Sequence, residues 1–197
     1  MTSISRRKHR IILWTNNGKY NMCTNIILIG FMGTGKTTIS HRIQQMLPQF
    51  QCLDMDELIV ERNGLTITEI FEERGEDYFR SLETNLLHEF VGDGSTRPLI
   101  LSTGGGVVLR AENRALLKQI GKVFWLEASP ESIYHRLAED TTRPLLQGNR
   151  SVEQITSMLN SRSSYYQEAS DHRIQTDDRE IDSICEEILR YAKKILS

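Results

Sequence analysis

One stretch limits the fold of this chain more than any other: "NIILIGFMGTGKTT", residues 25–38. Asn25 to Gly30 is a short, β-branched aliphatic run ended by glycine, the pattern of a strand buried on both faces. The following residues fit Gly30-x-x-x-x-Gly35-Lys36-Thr37, the phosphate-binding loop pattern. Lys36 to Leu47 then continues with helical periodicity and stops before Pro48. Strand, glycine loop and helix in that order open an α/β unit with a parallel sheet. Glycines let successive backbone N–H groups turn toward one point, and the helix N-terminus adds its partial positive charge. The nucleotide-contacting candidates are therefore Gly33, Thr34, Gly35, Lys36, Thr37 and Thr38. Lys36 reaches the β/γ-phosphates as a catalytic cation, and the Thr37 hydroxyl is placed to coordinate Mg²⁺. This loop fixes a phosphate donor and leaves the acceptor open.

The rest of the chain repeats the alternation. "FQCLD" (50–54), "PLILSTGGG" (98–106), "KVFWLE" (122–127) and "HRIQT" (172–176) read as four further strands. Two short helices flank the Asn63-Gly64 turn, the second with Thr66 as N-cap. Glu76 to Phe90 is a longer amphipathic helix with Phe79, Leu82, Leu86 and Leu87 on one face. Helices are also expected around 111–119, 130–139, 151–169 and 180–196, with a polar segment, about 138–150, in the place of a mobile lid. No internal repeat or linker divides residues 25–197, so they are expected to form one domain.

Composition narrows the partners. At 197 residues the chain has room for one α/β domain, and a formal net charge of −2 gives no electrostatic case for nucleic acid or an acidic membrane. The three cysteines, Cys23, Cys52 and Cys185, have neither metal-ligand spacing nor an even count, which fits a reducing cytoplasm. No apolar run approaches the roughly 20 residues of a membrane span. Residues 1–24, with the basic "SRRKHR" and a four-residue apolar "IILW", are expected to be a disordered extension rather than a signal peptide. Met22 is a candidate start, a reading that intact native peptides from residues 1–21 would rule out.

A phosphate loop with a metal needs a second acid. The strand ending "LILST" supplies none, and the nearest carboxylates are Asp54 and Asp56, at the carboxyl edge of the second strand where ligands bind in open sheets. While the strand continues, residues i and i+2 point the same way, so Asp54 would face the metal and Asp56 a substrate hydroxyl. The competing reading is a helix N-cap followed by a first-turn acid. Arg80 lies three residues before Glu83 on one helical face, either a carboxylate reader with its supporting acid or an ordinary surface pair. Gly104, Gly105 and Gly106 offer unobstructed backbone N–H groups, or simply a tight turn. Arg143, in "TTRPLL", is placed to close over the γ-phosphate, and Arg162 sits in the helix that follows. Together these point to phosphoryl transfer from ATP to a hydroxyl of a small anionic molecule.

With Asp54/Asp56, "FRSLE", "LSTGGG", "RPLL" and "RSSYY" in order behind the phosphate loop, the chain resembles the shikimate kinase family from about residue 25 to 190. The resemblance implies a three-layer α/β P-loop NTPase fold of nucleoside-monophosphate-kinase type, with a five-stranded parallel sheet flanked by helices. It implies ATP-dependent phosphorylation of the 3-hydroxyl of shikimate, with Mg²⁺, by a cytoplasmic monomer. Carried onto this sequence, Asp56 is the orienting base and Asp54 the acid near magnesium. Arg80, Arg162 and Gly104–Gly106 hold the substrate, with Glu83 in support. Arg143 is the lid arginine at the transferred phosphate, Arg136 stacks on adenine, and Arg179 lies on the late adenine-side loop. The readings that compete are another small-molecule kinase, gluconate-type, and a non-catalytic nucleotide-binding relative.

Overall fold

In a computed structural model of the chain, residues 25–92, 97–138 and 151–192 are described. The expected N-terminal extension and nearly all of the expected lid, Arg143 included, lie outside them. Five strands, β1 (Ile26–Ile29), β2 (Gln51–Asp54), β3 (Leu99–Ser102), β4 (Lys122–Glu127) and β5 (His172–Gln175), form one parallel sheet in the order β2-β3-β1-β4-β5. The helices are α1 (Lys36–Met46), α2 (Met55–Asn63), α3 (Ile67–Arg74), α4 (Glu76–Gly92), α5 (Ala111–Ile120), α6 (Pro130–Leu137), α7 (Val152–Ala169) and α8 (Ile181–Ala192). A 3₁₀ turn, Val107–Leu109, which the sequence reading did not separate from its neighbours, follows the glycines.

Every side chain of β1 is buried, which explains a continuous aliphatic run where a half-exposed strand would alternate. The alternation is instead between two cores. Ile27, Ile29, Leu101, Val123 and Trp125 pack with α2–α5 and α7 on one face. Ile26, Leu28, Ile100, Phe124 and Leu126 pack with α1 and α8 on the other. Each fully buried aliphatic side chain stabilises the fold by about 1.5–3 kcal/mol. A smaller cluster, in which Phe31 and Met32 of the phosphate loop meet Ile133, Leu137 and Ile155, anchors the loop from below.

Register does the positioning. Leu28 pairs with Ser102, and Ser102 with Asp54, so the carboxyl ends of β1, β3 and β2 finish level with one another. The phosphate loop, the triple glycine and the start of α2 therefore emerge side by side. β2 and β3 lie on one side of β1 and β4 and β5 on the other, so the crossover connections switch sides at this edge, the usual place for a ligand crevice. At the far side, Thr66 and Glu69 form the capping box that starts α3: the Thr66 N–H donates to Oε2 of Glu69 (2.7 Å), and the Glu69 N–H to Oγ1 of Thr66 (3.2 Å).

Candidate active site

The phosphate loop closes on itself through short contacts. Gly33 and Gly35 occupy the left-handed region, and Gly35 is the N-cap of α1 without any side-chain cap, leaving the first-turn N–H groups for an anion. The Thr34 hydroxyl donates to the carbonyl of Phe31 (2.8 Å), and Lys36 Nζ donates to the carbonyls of Gly30 and Phe31 (both 2.9 Å). Lys36 is thus folded against the loop it serves and is only 8% exposed.

Asp54 is held by three donors. Oδ2 accepts from the Thr37 hydroxyl (3.0 Å) and from Ser102 (2.8 Å), and Oδ1 accepts from the backbone N–H of Asp56 (3.0 Å). The two metal-side candidates, Thr37 and Asp54, are therefore brought together. Ser102 explains how β3 manages without an acid: its hydroxyl orients the acid of the neighbouring strand. Of the two readings of Asp54 and Asp56, a continuing strand and a helix cap, the backbone takes the second. The strand stops at Asp54, which is the N-cap of α2, and Asp56 lies in the first helical turn. The capping interpretation describes the local backbone, and both carboxylates still line one cavity of about 180 Å³ with Lys36, Thr37, Thr103 and Arg136.

Two hard oxygen donors, a hydroxyl and a carboxylate, suit a Mg²⁺ ion that keeps most of its shell for water and phosphate. Among the described residues no cluster of three or more His, Cys, Asp or Glu forms a metal cage. The arrangement fits a cation that arrives with its nucleotide.

A second cavity, about 430 Å³, opens on the other side of Asp56. Asp56, Arg80, Glu83, Arg162 and all three glycines line it, so every acceptor-side residue expected from the sequence is gathered there. The sequence reading did not single out its apolar wall, which includes Met32, Val60, Ile67 and the Phe71–Phe79 pair. The signal was present as period-3.6 apolar positions, which read as core. Phe79 is core as well as wall, because Arg80 lies against it with 5.4 Å between guanidinium carbon and ring centroid.

Arg80 and Glu83 are no surface pair. Both are buried, and Nη1 of Arg80 donates to Oε2 of Glu83 (2.9 Å), while Nη2 donates to Glu76 (2.8 Å). Burial pushes the Glu83 carboxyl up to about 7, outweighing the attraction of Arg80, with Asp56 adding repulsion. Oε1 of Glu83 and Nη1 of Arg162 are buried and make no hydrogen bond among the described residues. Arg162 stacks over the Phe31 ring (5.6 Å), so a phosphate-loop residue supports an acceptor-side arginine.

The glycines have a steric purpose that the sequence reading missed. A Cβ on Gly106 would sit 2.4 Å from Nη1 of Arg80, and one on Gly104 would sit 2.7 Å from Oδ1 of Asp56 and 2.9 Å from Oε1 of Glu83. The segment is glycine because three charged side chains crowd its surface. Arg136 donates to the carbonyl of Gly33 (3.2 Å) and to Thr176 (3.3 Å), beside the phosphate loop. Arg179 pairs with Glu187 (2.7 Å) and Ser183 at the start of α8 and lines neither cavity.

Known proteins resemble this chain in sequence and in fold. The family model described as shikimate kinase matches residues 32–193. A shikimate kinase of Geobacter metallireducens is 41% identical over 85% of this chain and 90% of its own length; one of Enterococcus faecalis is 41% identical over 86% and 99%. The structure of shikimate kinase from Acinetobacter baumannii in complex with shikimate superposes with a TM-score of 0.79 at 36% identity, covering 85% of this chain and 92% of that one. A gluconokinase from Sinorhizobium meliloti, at 13% identity and a TM-score of 0.51, shares the fold alone. Since the match extends from inside the phosphate loop through both cavities to the last helix, the chain belongs to the shikimate kinase family.

Proposed function

We propose that the chain transfers the γ-phosphoryl group of ATP to the 3-hydroxyl of shikimate, giving shikimate 3-phosphate and ADP on the route to chorismate and the aromatic amino acids. The observation that carries this is Asp56, among the described residues the one carboxylate that lines both the phosphate-side and the acceptor-side cavity. A group in that place touches whatever passes between them. Family membership and a shikimate-bound relative support the choice of acceptor.

The reaction makes one bond and breaks one: shikimate O3 joins the γ-phosphorus as the bridge to the β-phosphate leaves. Asp56 orients the hydroxyl in line and takes its proton, a role that a loose transition state does not require to be complete before attack. Arg80 and Arg162 take the carboxylate of the acceptor, for which the buried, unsatisfied Nη1 of Arg162 is suited. Glu83 holds Arg80 in place. Lys36 neutralises charge on the β- and γ-phosphates, and Arg143, from the lid at 138–150, closes over the γ-phosphate and excludes water. Arg136 and Arg179 serve the adenine side. Thr37 and Asp54 would hold Mg²⁺, which would supply charge neutralisation at the phosphate oxygens. Residues 25–197 act as one domain, monomeric and cytoplasmic, with residues 1–24 as an extension; among the described residues no helix is long and apolar enough to cross a membrane.

Steady-state ADP release with shikimate, quinate and gluconate as acceptors tests the assignment. Turnover confined to shikimate is expected; preference for gluconate would sink it.

A further inference from the structure

Tyr166 is fully buried on α7, four residues after Arg162 and therefore on the same helical face. Its ring stacks on Trp125 of β4 (5.7 Å between centroids, 16° between planes), which fills the core. Its hydroxyl does something separate, donating to the carbonyl of Gly105 across the sheet edge at 2.6 Å. A phenylalanine would make the same stacking without dehydrating a hydroxyl, so the core alone gives no reason for the oxygen.

The bond lands at a sensitive point. Gly105 is pressed against the phosphate loop, where a Cβ would lie 3.2 Å from the backbone nitrogen of Met32. Its neighbour Gly106 receives the Arg80 guanidinium. Reading across the cavity, the order is Arg162, Tyr166, Gly105, Gly106, Arg80. The two arginines sit on helices distant in sequence, and this path joins one to the other.

We propose that Tyr166 is a positioning residue for the acceptor's carboxylate: its hydroxyl bond to Gly105 fixes the glycine segment between Arg162 and Arg80 and so sets the span between their guanidinium groups. Two arginines hold one carboxylate well only at a defined separation, since bidentate geometry is steep in both distance and angle. Burial pushes the phenol well above its ordinary range, which keeps the proton on the hydroxyl that donates to Gly105. Arg162 acts on that phenol by its charge and a side-chain hydrogen bond, and Arg80 by its charge.

The inference rests on the assignment of this cavity to shikimate, and the test separates the two. Tyr166→Phe keeps the ring and removes the hydroxyl. The shikimate KM and the calorimetric Kd of that variant should rise roughly 5- to 20-fold, the loss of one or two good hydrogen bonds. Its kcat and ATP KM should stay within about twofold of wild type. With shikimate methyl ester, which offers the arginines no charge, the penalty of the substitution should shrink to less than about twofold. An equal penalty on acid and ester, or one that appears equally in the ATP KM, would mean that the hydroxyl acts through general packing and would overturn the proposal. Unchanged shikimate KM and Kd in Tyr166→Phe would overturn it too, with the enzyme's activity left standing. A wild type that neither binds nor phosphorylates shikimate overturns both.

Discussion

The phosphate loop itself is one unbroken run, Gly30 to Thr38, joined in its cavity by Asp54, Asp56, Thr103 and Arg136, whereas the acceptor cavity is assembled from α2, α3, α4, α7, Met32 and the glycine segment after β3. The first works mainly with backbone N–H groups and a helix terminus, which any strand–loop–helix turn of the right glycine pattern delivers. The second works with side-chain charges, each needing its own partner and its own burial. Phosphate recognition is therefore a local property, and acceptor recognition is a property of the packed fold.

The sharpest way to break this division is at its boundary. Lys36→Ala should lose both nucleotide affinity and turnover. Asp56→Asn and Arg80→Ala should each lower kcat/KM by about 10³-fold or more while ADP affinity measured by calorimetry stays near wild type. If Asp56→Asn weakened ADP as severely as Lys36→Ala, the two cavities would not be functionally separate.

Glycines test the same contrast at the next level of effect. Gly30 has φ of +148°, and a Cβ there would meet the backbone carbonyl of Leu126 at 2.3 Å. Neither group has room to move, so Gly30→Ala should destabilise the fold by about 2 kcal/mol or more in denaturant titration. At Gly106 the obstructed atoms are the far end of the Arg80 side chain. Gly106→Ala should therefore cost little stability and raise the shikimate KM at least about tenfold as Arg80 is displaced. Equal stability losses in the two variants would erase the distinction.

What was legible in the sequence follows from the same physics. β1, the phosphate loop and α1 announce themselves because their period and glycine spacing are local facts. The Thr66 cap and the Arg80–Glu83 pair were legible for that reason too, being three residues apart. The burial of that pair was not, since it depends on α4 packing under the glycine segment, many residues away in sequence. The break between Asp54 and Asp56 was half legible: "DMDE" carries both an extended and a capping reading, and the Ser102 bond across the sheet goes with the cap. The steric purpose of Gly104 and Gly106 had no local signal at all, because the atoms they make room for come from α2 and α4. Tyr166 was hidden in "RSSYY" beside an exposed tyrosine, and only the fold separates Tyr166 from Tyr165.

A pH experiment sharpens the acceptor side. The Glu83 carboxyl is raised to about 7 by burial, above an ordinary value of 4.5. The folded chain therefore binds this proton more tightly than the unfolded chain. The contribution is fully present below about 4.5 and is lost as pH rises through about 7. In that window, stability of Glu83→Gln should fall less steeply with pH than that of wild type, read from urea midpoints at several pH values. Parallel curves would show that Glu83 is ionised throughout.

The smallest effect is expected on the donor side, at Arg42 of α1. Its guanidinium meets Asp182 of α8 through two short bonds (2.6 and 2.9 Å), geometry as good as that of Arg80 with Glu83. The surroundings differ: the Arg42 and Asp182 side chains are 40% and 59% exposed, those of Arg80 and Glu83 6% and 0%. Water and salt screen the outer pair, and holding two long side chains in register offsets most of what is left. Arg42→Ala should leave the melting midpoint and both KM values at the wild-type level. A clear drop in the midpoint would mean that α1 depends on α8 for its placement, and the phosphate cradle would then be less self-contained than its unbroken sequence implies.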